Sequence, residues 1–336
     1  MTVAISDKLR GFFKNWQARL RLTRRLSRKT PRQGWQRRRI KVVLREGSSR
    51  LVEIWKYPRV TVRLRLSAFP DGTYEDRLRV AIYAFVLTKP SVKSATISVD
   101  DVGGEITNQI TFSSNAAGAL LIPDSDFFNN NAYQQFRGEI HRQRPWNERN
   151  DTIMWRGSTT GIGRIPDDIQ DYTAPDALPR LRLCALLKPL PDIDARIYQC
   201  VQAPDPVGLE AQLRAAGLFA SYRQPHEWLD RKFAIDIDGN ANAWSNLFTR
   251  LLMGCCVIKV SSPRHYRQWY YDRLEPWKNF VPVRADLTDL TEKIEWCRTH
   301  ENECAQIAAA GQEMARAMTL DVEMQDAVRR LNERLG

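Results

Sequence analysis

The chain reads as an α/β protein of two domains, and three observations carry that reading. The stretch from Lys232 to Val260, KFAIDIDGNANAWSNLFTRLLMGCCVIKV, encodes a buried strand, a glycine-bearing polar loop, an amphipathic helix and a second buried strand. That order is one βαβ unit. Strand-like and helix-like segments alternate on either side of it, and at 336 residues with 43% hydrophobic content the chain exceeds what a single core ordinarily organises.

The elements follow in order. Residues 1–46 form a basic amphipathic segment: the first 50 residues hold 16 Lys or Arg against Asp7 and Glu46, so the net charge of +12 resides there and the remaining body is close to neutral. Leu9, Phe12, Phe13, Trp16 and Leu20 recur at helical spacing, with Lys and Arg over the other face. Residues 7–29 therefore suit the surface of an anionic membrane, where each basic residue adds about 1 kcal/mol. A helix packed on the protein body and a nucleic-acid contact are the alternatives. No stretch reaches the ~20 apolar residues that cross a bilayer, and the opening residues lack the apolar core of a signal peptide.

Residues 47–142 are expected to form a first Rossmann-like domain. It would hold two strands over 51–66 split near Pro58, a turn at 69–72, a helix over 76–87 and a strand over 95–99 that ends at Asp100 and Asp101. Short strands at 110–112 and 119–122 follow, then a polar loop leading into a helix over 127–142. The charged, aperiodic stretch QRPWNERND at 143–151 is placed as the linker. A second domain over 152–320 opens on a strand at 152–155 and continues with a helix at 180–187, a strand at 196–200 and a helix at 208–216. After the βαβ unit come a strand at 281–283 and helices at 289–299 and 301–318. A final amphipathic helix over 321–336 is expected to cross back to the first domain.

Three constellations carry chemistry. In Arg156, Gly157, Ser158, Thr159, Thr160 and Gly161, a guanidinium at a strand end precedes glycines and hydroxyls, a combination that offers a pyrophosphate a bidentate cation and close backbone donors. The second runs through Asp236, Asp238, Gly239, Asn240, Asn242, Ala243 and Ser245, at the carboxyl edge where open α/β sheets receive ligands and a helix N-terminus meets phosphate. Its Asp-x-Asp triplet admits a divalent metal. The favoured reading is metal-free: Asp238 orders the loop, while Asn240, Asn242 and Ser245 cap the helix and meet the ligand. The third is Asp100 and Asp101, of which one could serve as a general base, since neighbouring strand residues point to opposite faces. Asp124 is the fallback base.

The aromatic-basic stretch YRQWYYDRLEPW at 266–277 admits both stacking on a sugar or base and plain packing. The six cysteines lack Cys-x-x-Cys spacing and the four histidines are scattered, which points to buried thiols in a reducing compartment and gives a metal site little support.

The succession WRGSTTG, KFAIDIDGNANAW, LLMGCCVIKV and WYYDRLEPWKNFVPVRADLTDLTEKIEWC resembles the family 90 glycosyltransferases, over roughly residues 95–320. That family includes bacterial lipopolysaccharide-modifying enzymes, fungal capsule xylosyltransferases and animal protein O-glucosyltransferases. The resemblance implies a GT-B architecture, two facing Rossmann-like domains with a cleft between them. The second would bind a UDP-sugar and the first would present the acceptor and the base. It implies an inverting transfer that needs no metal or other cofactor, with Asp101 as the base and donor contacts on Arg156, Gly157, Ser158, Gly239, Asn242, Ala243 and Ser245.

Two family arginines are absent, at Thr159 and at Asn246, leaving Arg164, Lys232, Arg250 and Lys259 as substitutes. The expected function is transfer of a hexose or pentose from a UDP-sugar to a hydroxyl of a lipopolysaccharide or capsule glycan, on the cytoplasmic face of the inner membrane. The competing readings are a metal-dependent sugar-nucleotide enzyme built on Asp236 and Asp238, and a nucleic-acid-binding protein acting through its basic N-terminus. Against the latter, the basicity is confined to the tail, so no nucleic-acid partner is expected.

Overall fold

The computed structural model describes residues 39–44, 51–57, 72–101 and 108–336. The chain divides into two compact units, Met1–Phe128 with Leu320–Gly336, and Asn129–Thr319. The helix expected over 7–26, the strand after Pro58 and most of the turn before residue 72 lie outside the described residues.

The first unit contains a five-stranded sheet in the order β1 (Arg39–Leu44), β2 (Leu51–Tyr57), β3 (Ser94–Ser98), β4 (Gln109–Thr111) and β5 (Leu120–Leu121). The β1–β2 and β2–β3 pairs are antiparallel and the remaining two are parallel. The segment assigned to the basic appendage therefore ends early, because RIKVVL pairs with β2 from Arg39 opposite Tyr57 to Leu44 opposite Val52. Helix α1 (Gly72–Leu87) buries Leu78, Ala81, Ile82 and Phe85. The final helix, Leu320–Leu335, packs on α1 through a face that includes the buried Met324, Ala327 and Leu331. At about 1.5–3 kcal/mol for each fully buried large apolar side chain, such a seam holds the helix firmly.

Two short helices, α2 (Ser125–Asn129) and α3 (Gln134–Glu139), lead into the second unit. There β6 (Ile153–Ser158), α4 (Pro179–Leu187), β7 (Ile193–Gln199), α5 (Pro206–Ala215), β8 (Phe233–Asp236), α6 (Ser245–Leu252), β9 (Cys256–Val260) and β10 (Val281–Val283) follow in turn. Helices α7 (Leu290–Thr299) and α8 (Glu301–Ala317) come next, and the last helix is α9 (Leu320–Leu335). The sheet order is β10-β9-β8-β6-β7 and every pair is parallel. Strands buried along their whole length, such as CVIKV, suit this sheet, since parallel strands are covered on both faces. Helix α4 packs on β7, α8 on β9, and α7 on β10.

The stretch 143–151 does not separate the units, because its side chains bond into the second one. Gln143 donates to the carbonyls of Leu229 and Met253, and Arg149 Nη1 to that of Gly254 at 2.7 Å. The division falls earlier, after Phe128. Five of the six cysteines are buried free thiols, and the sulfurs of Cys256, Cys297 and Cys304 lie within 4.8 Å of one another in the second core.

Candidate active site

The strand order locates the site. β6 is the first strand of its sheet, β7 lies on one side of it and β8 on the other, so the succession reverses between β6 and β8. Loops leaving the carboxyl ends of two such strands diverge, and the crevice between them is where open α/β sheets hold their ligands. The loop after β6 carries Thr159, Thr160 and Gly161, and the loop after β8 carries Asp238 to Ala243.

The two loops are fastened together. Gly161 N–H donates to Asn240 Oδ1 at 3.1 Å. Arg180, in the first turn of α4, donates from Nη1 to Thr160 Oγ1 at 2.7 Å and to the Ser158 carbonyl at 3.2 Å. The same guanidinium donates to the Ile237 and Asp238 carbonyls, both at 3.1 Å. A cation near a helix N-terminus opposes the helix dipole, and these four oxygens offset that penalty. Burial pulls the Arg180 pKa down, while Asp236 and Asp238 act the other way. Gly239 closes against the same group: a Cβ there would stand 2.6 Å from Thr160 Oγ1 and 3.1 Å from Arg180 Nη2. Gly161 has φ +131°, a conformation closed to other residues in practice.

Arg156 does something else. Its Nη2 donates to Asp194 Oδ2 at 2.7 Å, Nη1 to the Trp155 and Asp194 carbonyls, and Nε to the Ser221 carbonyl. The side chain is 3% exposed. Its guanidinium ties β6 to β7, so the diphosphate contact expected of Arg156 would have to compete with these bonds. The guanidinium that reaches the Gly239 turn is that of Arg180, which the sequence reading passed over.

Other expectations change as well. Thr159 stitches strand ends, donating to the Val201 carbonyl at 2.6 Å and accepting from its N–H at 2.8 Å. Asn240 and Asn242 do not cap α6: the cap position is Trp244, without a side-chain bond. Asn240 accepts from Gly161, and the buried Asn242 donates to the Tyr266 carbonyl and to Tyr271 Oη. Ser245 and Ala243 open the helix through backbone groups, their carbonyls accepting from Thr249 Oγ1 and from Asn246 N–H. Gly157 packs under the Trp155 ring, where a Cβ would overlap it at 2.3 Å.

The two aspartates of the triplet differ. Asp236 is fully buried, accepts from Lys259 Nζ at 3.0 Å and from Asn246 Nδ2 at 2.8 Å, and so engages one of the substitute cations and the residue that stands where a family arginine is absent. Arg164 pairs with Asp176, Lys232 with Asp151 and Glu301, and Arg250 lies 3.6 Å over the Trp228 ring, so these substitute cations also have partners. Asp238, Gly239 and Asn240 line a pocket with Ser262, Arg264 and Tyr266. Trp269 and Tyr270 of the aromatic stretch pack on Phe248 of α6 and are buried, whereas Arg267, Asp272 and Glu275 to Trp277 are exposed.

In the first unit, Asp101 stands just past β3. Its Oδ1 accepts from Arg77 Nη2 at 2.8 Å and its side chain remains 38% exposed. Asp100 Oδ1 accepts the Asp101 N–H at 2.7 Å. Asp124 is 2% exposed and its Oδ1 accepts the Phe127 N–H at 2.8 Å, capping α2. Burial pushes its carboxyl up to about 7, partly offset by the Phe127 bond. The fallback base is thus a buried helix cap.

The sequence profile of Glycosyl transferase family 90 matches residues 128–329, more than half of the chain. The chain belongs to this family. It is 32% identical over 176 residues to an uncharacterized protein of Invertebrate iridescent virus 3, which covers 48% of this chain and 14% of that protein. It is 39% identical over 85 residues to Protein O-glucosyltransferase 2 of Danio rerio, covering 25% of this chain and 16% of the relative. The chain thus spans only 14 to 16% of the length of these curated relatives. Among solved structures it is similar to Anabaena Alr3699/HepE in complex with UDP-glucose, at 13% identity and TM-score 0.35, over 68% of this chain and 57% of that one.

Proposed function

We propose that this family 90 chain is a glycosyltransferase that moves a sugar from a UDP-sugar to an acceptor hydroxyl, inverting the anomeric centre without a metal. The observation that carries the reading is the pair of glycine-bearing loops at the β6/β8 reversal, locked to each other through Arg180 and the Gly161–Asn240 bond. Backbone N–H groups and the N-terminus of α6 offer a leaving diphosphate the positive end it needs. In the proposed step the acceptor oxygen attacks the anomeric carbon, Asp101 takes its proton, and the carbon–oxygen bond to UDP breaks with the electron pair going to the diphosphate.

Metal independence is supported by Asp236, whose carboxylate is neutralised by Lys259 and bonded by Asn246, so the triplet does not present two uncommitted carboxylates to one ion. The acceptor proposed is a lipopolysaccharide or capsule glycan met at an anionic membrane through residues 7–29, which lie outside the described residues. No helix among the described residues is long and apolar enough to cross a membrane.

A panel of UDP-sugars tests the reading. One or more should raise the melting temperature and release UDP when an acceptor is supplied, with activity surviving EDTA. A chain that neither binds nor turns over any UDP-sugar would sink the proposal, and loss of turnover in EDTA would favour the metal-dependent alternative.

A further inference from the structure

One polar side chain at the switch point is short of bonding partners. Asp238 is 8% exposed, yet its carboxylate oxygens make no hydrogen bond of full geometry, with the Ser262 hydroxyl a nearby weak donor, although its backbone carbonyl is held by Arg180. The strong hydrogen bonds that fasten the loop come from Arg180 and Gly161 rather than from this side chain. Leaving a buried carboxylate unsatisfied costs stability, and proteins keep such a group where it serves a ligand. Asp236, two residues earlier, shows the usual solution, since both of its oxygens are bonded.

The surroundings narrow what would complete Asp238. Lys259 and Arg180 favour its charged form and Asp236 opposes it, with burial the largest influence and the Ser262 hydroxyl a small favourable one; together they push the carboxyl up to about 6. At neutral pH it is mostly ionised and accepts hydrogen bonds without donating any. A phosphate oxygen, also an acceptor and also negative, is repelled by it. The complementary group is a neutral donor, and the pocket walls of Asn240, Ser262, Arg264 and Tyr266 are polar enough to receive a hydroxylated ring.

We infer that Asp238 receives sugar hydroxyls of the nucleotide-sugar donor and is a specificity-determining residue of the site. The inference rests on the donor reading given above. Hydroxyls come from two parts of such a donor, the ribose and the transferred sugar, and both present vicinal pairs that suit the two oxygens of one carboxylate. A site built to bond a hydroxyl discriminates strongly against analogues that lack it, because its own polar group is left unpaired.

Calorimetric titration of the native chain and of Asp238→Asn with UDP, with the turned-over UDP-sugar and with 2′-deoxy-UDP tests this. The variant should bind the UDP-sugar at least tenfold more weakly. If the ribose is the source, UDP weakens equally and 2′-deoxy-UDP binds the native chain as poorly as UDP binds the variant; if the transferred sugar is the source, UDP affinity is unchanged. Removing a buried charge that is short of partners should leave the melting temperature of Asp238→Asn equal or higher, which separates lost recognition from lost folding. Unchanged affinity of the variant for both UDP and the UDP-sugar overturns the inference alone. A native chain that binds no UDP-sugar overturns the donor reading and this inference with it.

Discussion

The two strand ends that carry the candidate chemistry are built in opposite ways. At the β6/β8 reversal in the second unit, nearly every polar group is already bonded: Arg180 to four oxygens, Asn240 to Gly161, Asn242 to Tyr266 and Tyr271, Thr159 to Val201. Past β3 in the first unit, Asp101 is more than a third exposed, and one ion pair to Arg77 orients it. A binding site gains from parts fixed before the ligand arrives, because ordering them on binding costs affinity. A general base gains from reach, since it must meet a proton on a second substrate.

The largest expected effect lies at the exposed end. Asp101→Asn keeps the shape of the side chain but removes the proton acceptor, so transfer should fall by roughly a hundred- to ten-thousand-fold. UDP affinity should stay within a few-fold, since the donor loops belong to the other unit. Full transfer activity in that variant would move the role to Asp100.

Asp124 sharpens the contrast within the first unit. Its carboxyl, pushed up to about 7 by burial, holds a proton in the folded chain that the unfolded chain releases well below that pH. Stability should therefore fall as pH rises from about 4 to about 7, by up to roughly 4 kcal/mol from this group. Asp124→Asn still accepts the Phe127 N–H and should flatten the pH dependence seen in urea melts, while leaving transfer at neutral pH within a few-fold. A large loss of transfer with normal UDP binding would restore Asp124 as the base.

Much of the second unit was legible in the sequence. The expected strand and helix starting near residues 152 and 180 appear as Ile153–Ser158 and Pro179–Leu187, because apolar runs between glycine-rich or proline-rich breaks leave little choice of element. Strand β1 was hidden by its composition: the three basic residues preceding Ile40 made RIKVVL look like the end of a charged tail. The thiol group of Cys256, Cys297 and Cys304 was also invisible, since one strand and two helices supply it and no local spacing announces it. The glycines at 161 and 239 signalled the loops, but residue type alone gave no sign of which arginine reaches them. A usable sign was present in Pro179-Arg180, a cation set in the opening turn of a helix where the dipole disfavours it.

Arg180 and Arg156 together test whether the locked edge is a binding device. Arg180→Met retains the aliphatic bulk and leaves the carbonyls of Ser158, Ile237 and Asp238 and the Thr160 hydroxyl without their common donor. With about 1–3 kcal/mol for each buried polar group stranded, part of it recovered by relaxation, UDP affinity should drop by roughly ten- to a hundred-fold. Arg180→Lys reaches fewer of the four oxygens and should recover only part of the loss. Equal UDP affinity in Arg180→Met would mean that the two loops do not need this clamp.

The smallest effect on binding is expected at Arg156, and its smallness is informative. Its hydrogen bonds run to Asp194, Trp155 and Ser221, all within the β6–β7 side of the sheet, and its side chain is 3% exposed. Arg156→Lys should lower the melting temperature by a few degrees, because one ammonium cannot replace the guanidinium that spans the Asp194 carboxylate and three carbonyls. UDP affinity should remain within about twofold. The two measurements separate the roles cleanly: a substitution that destabilises the sheet without touching the ligand belongs to the scaffold, whereas a tenfold loss of affinity at unchanged melting temperature would put Arg156 on the diphosphate and make Arg180 its support.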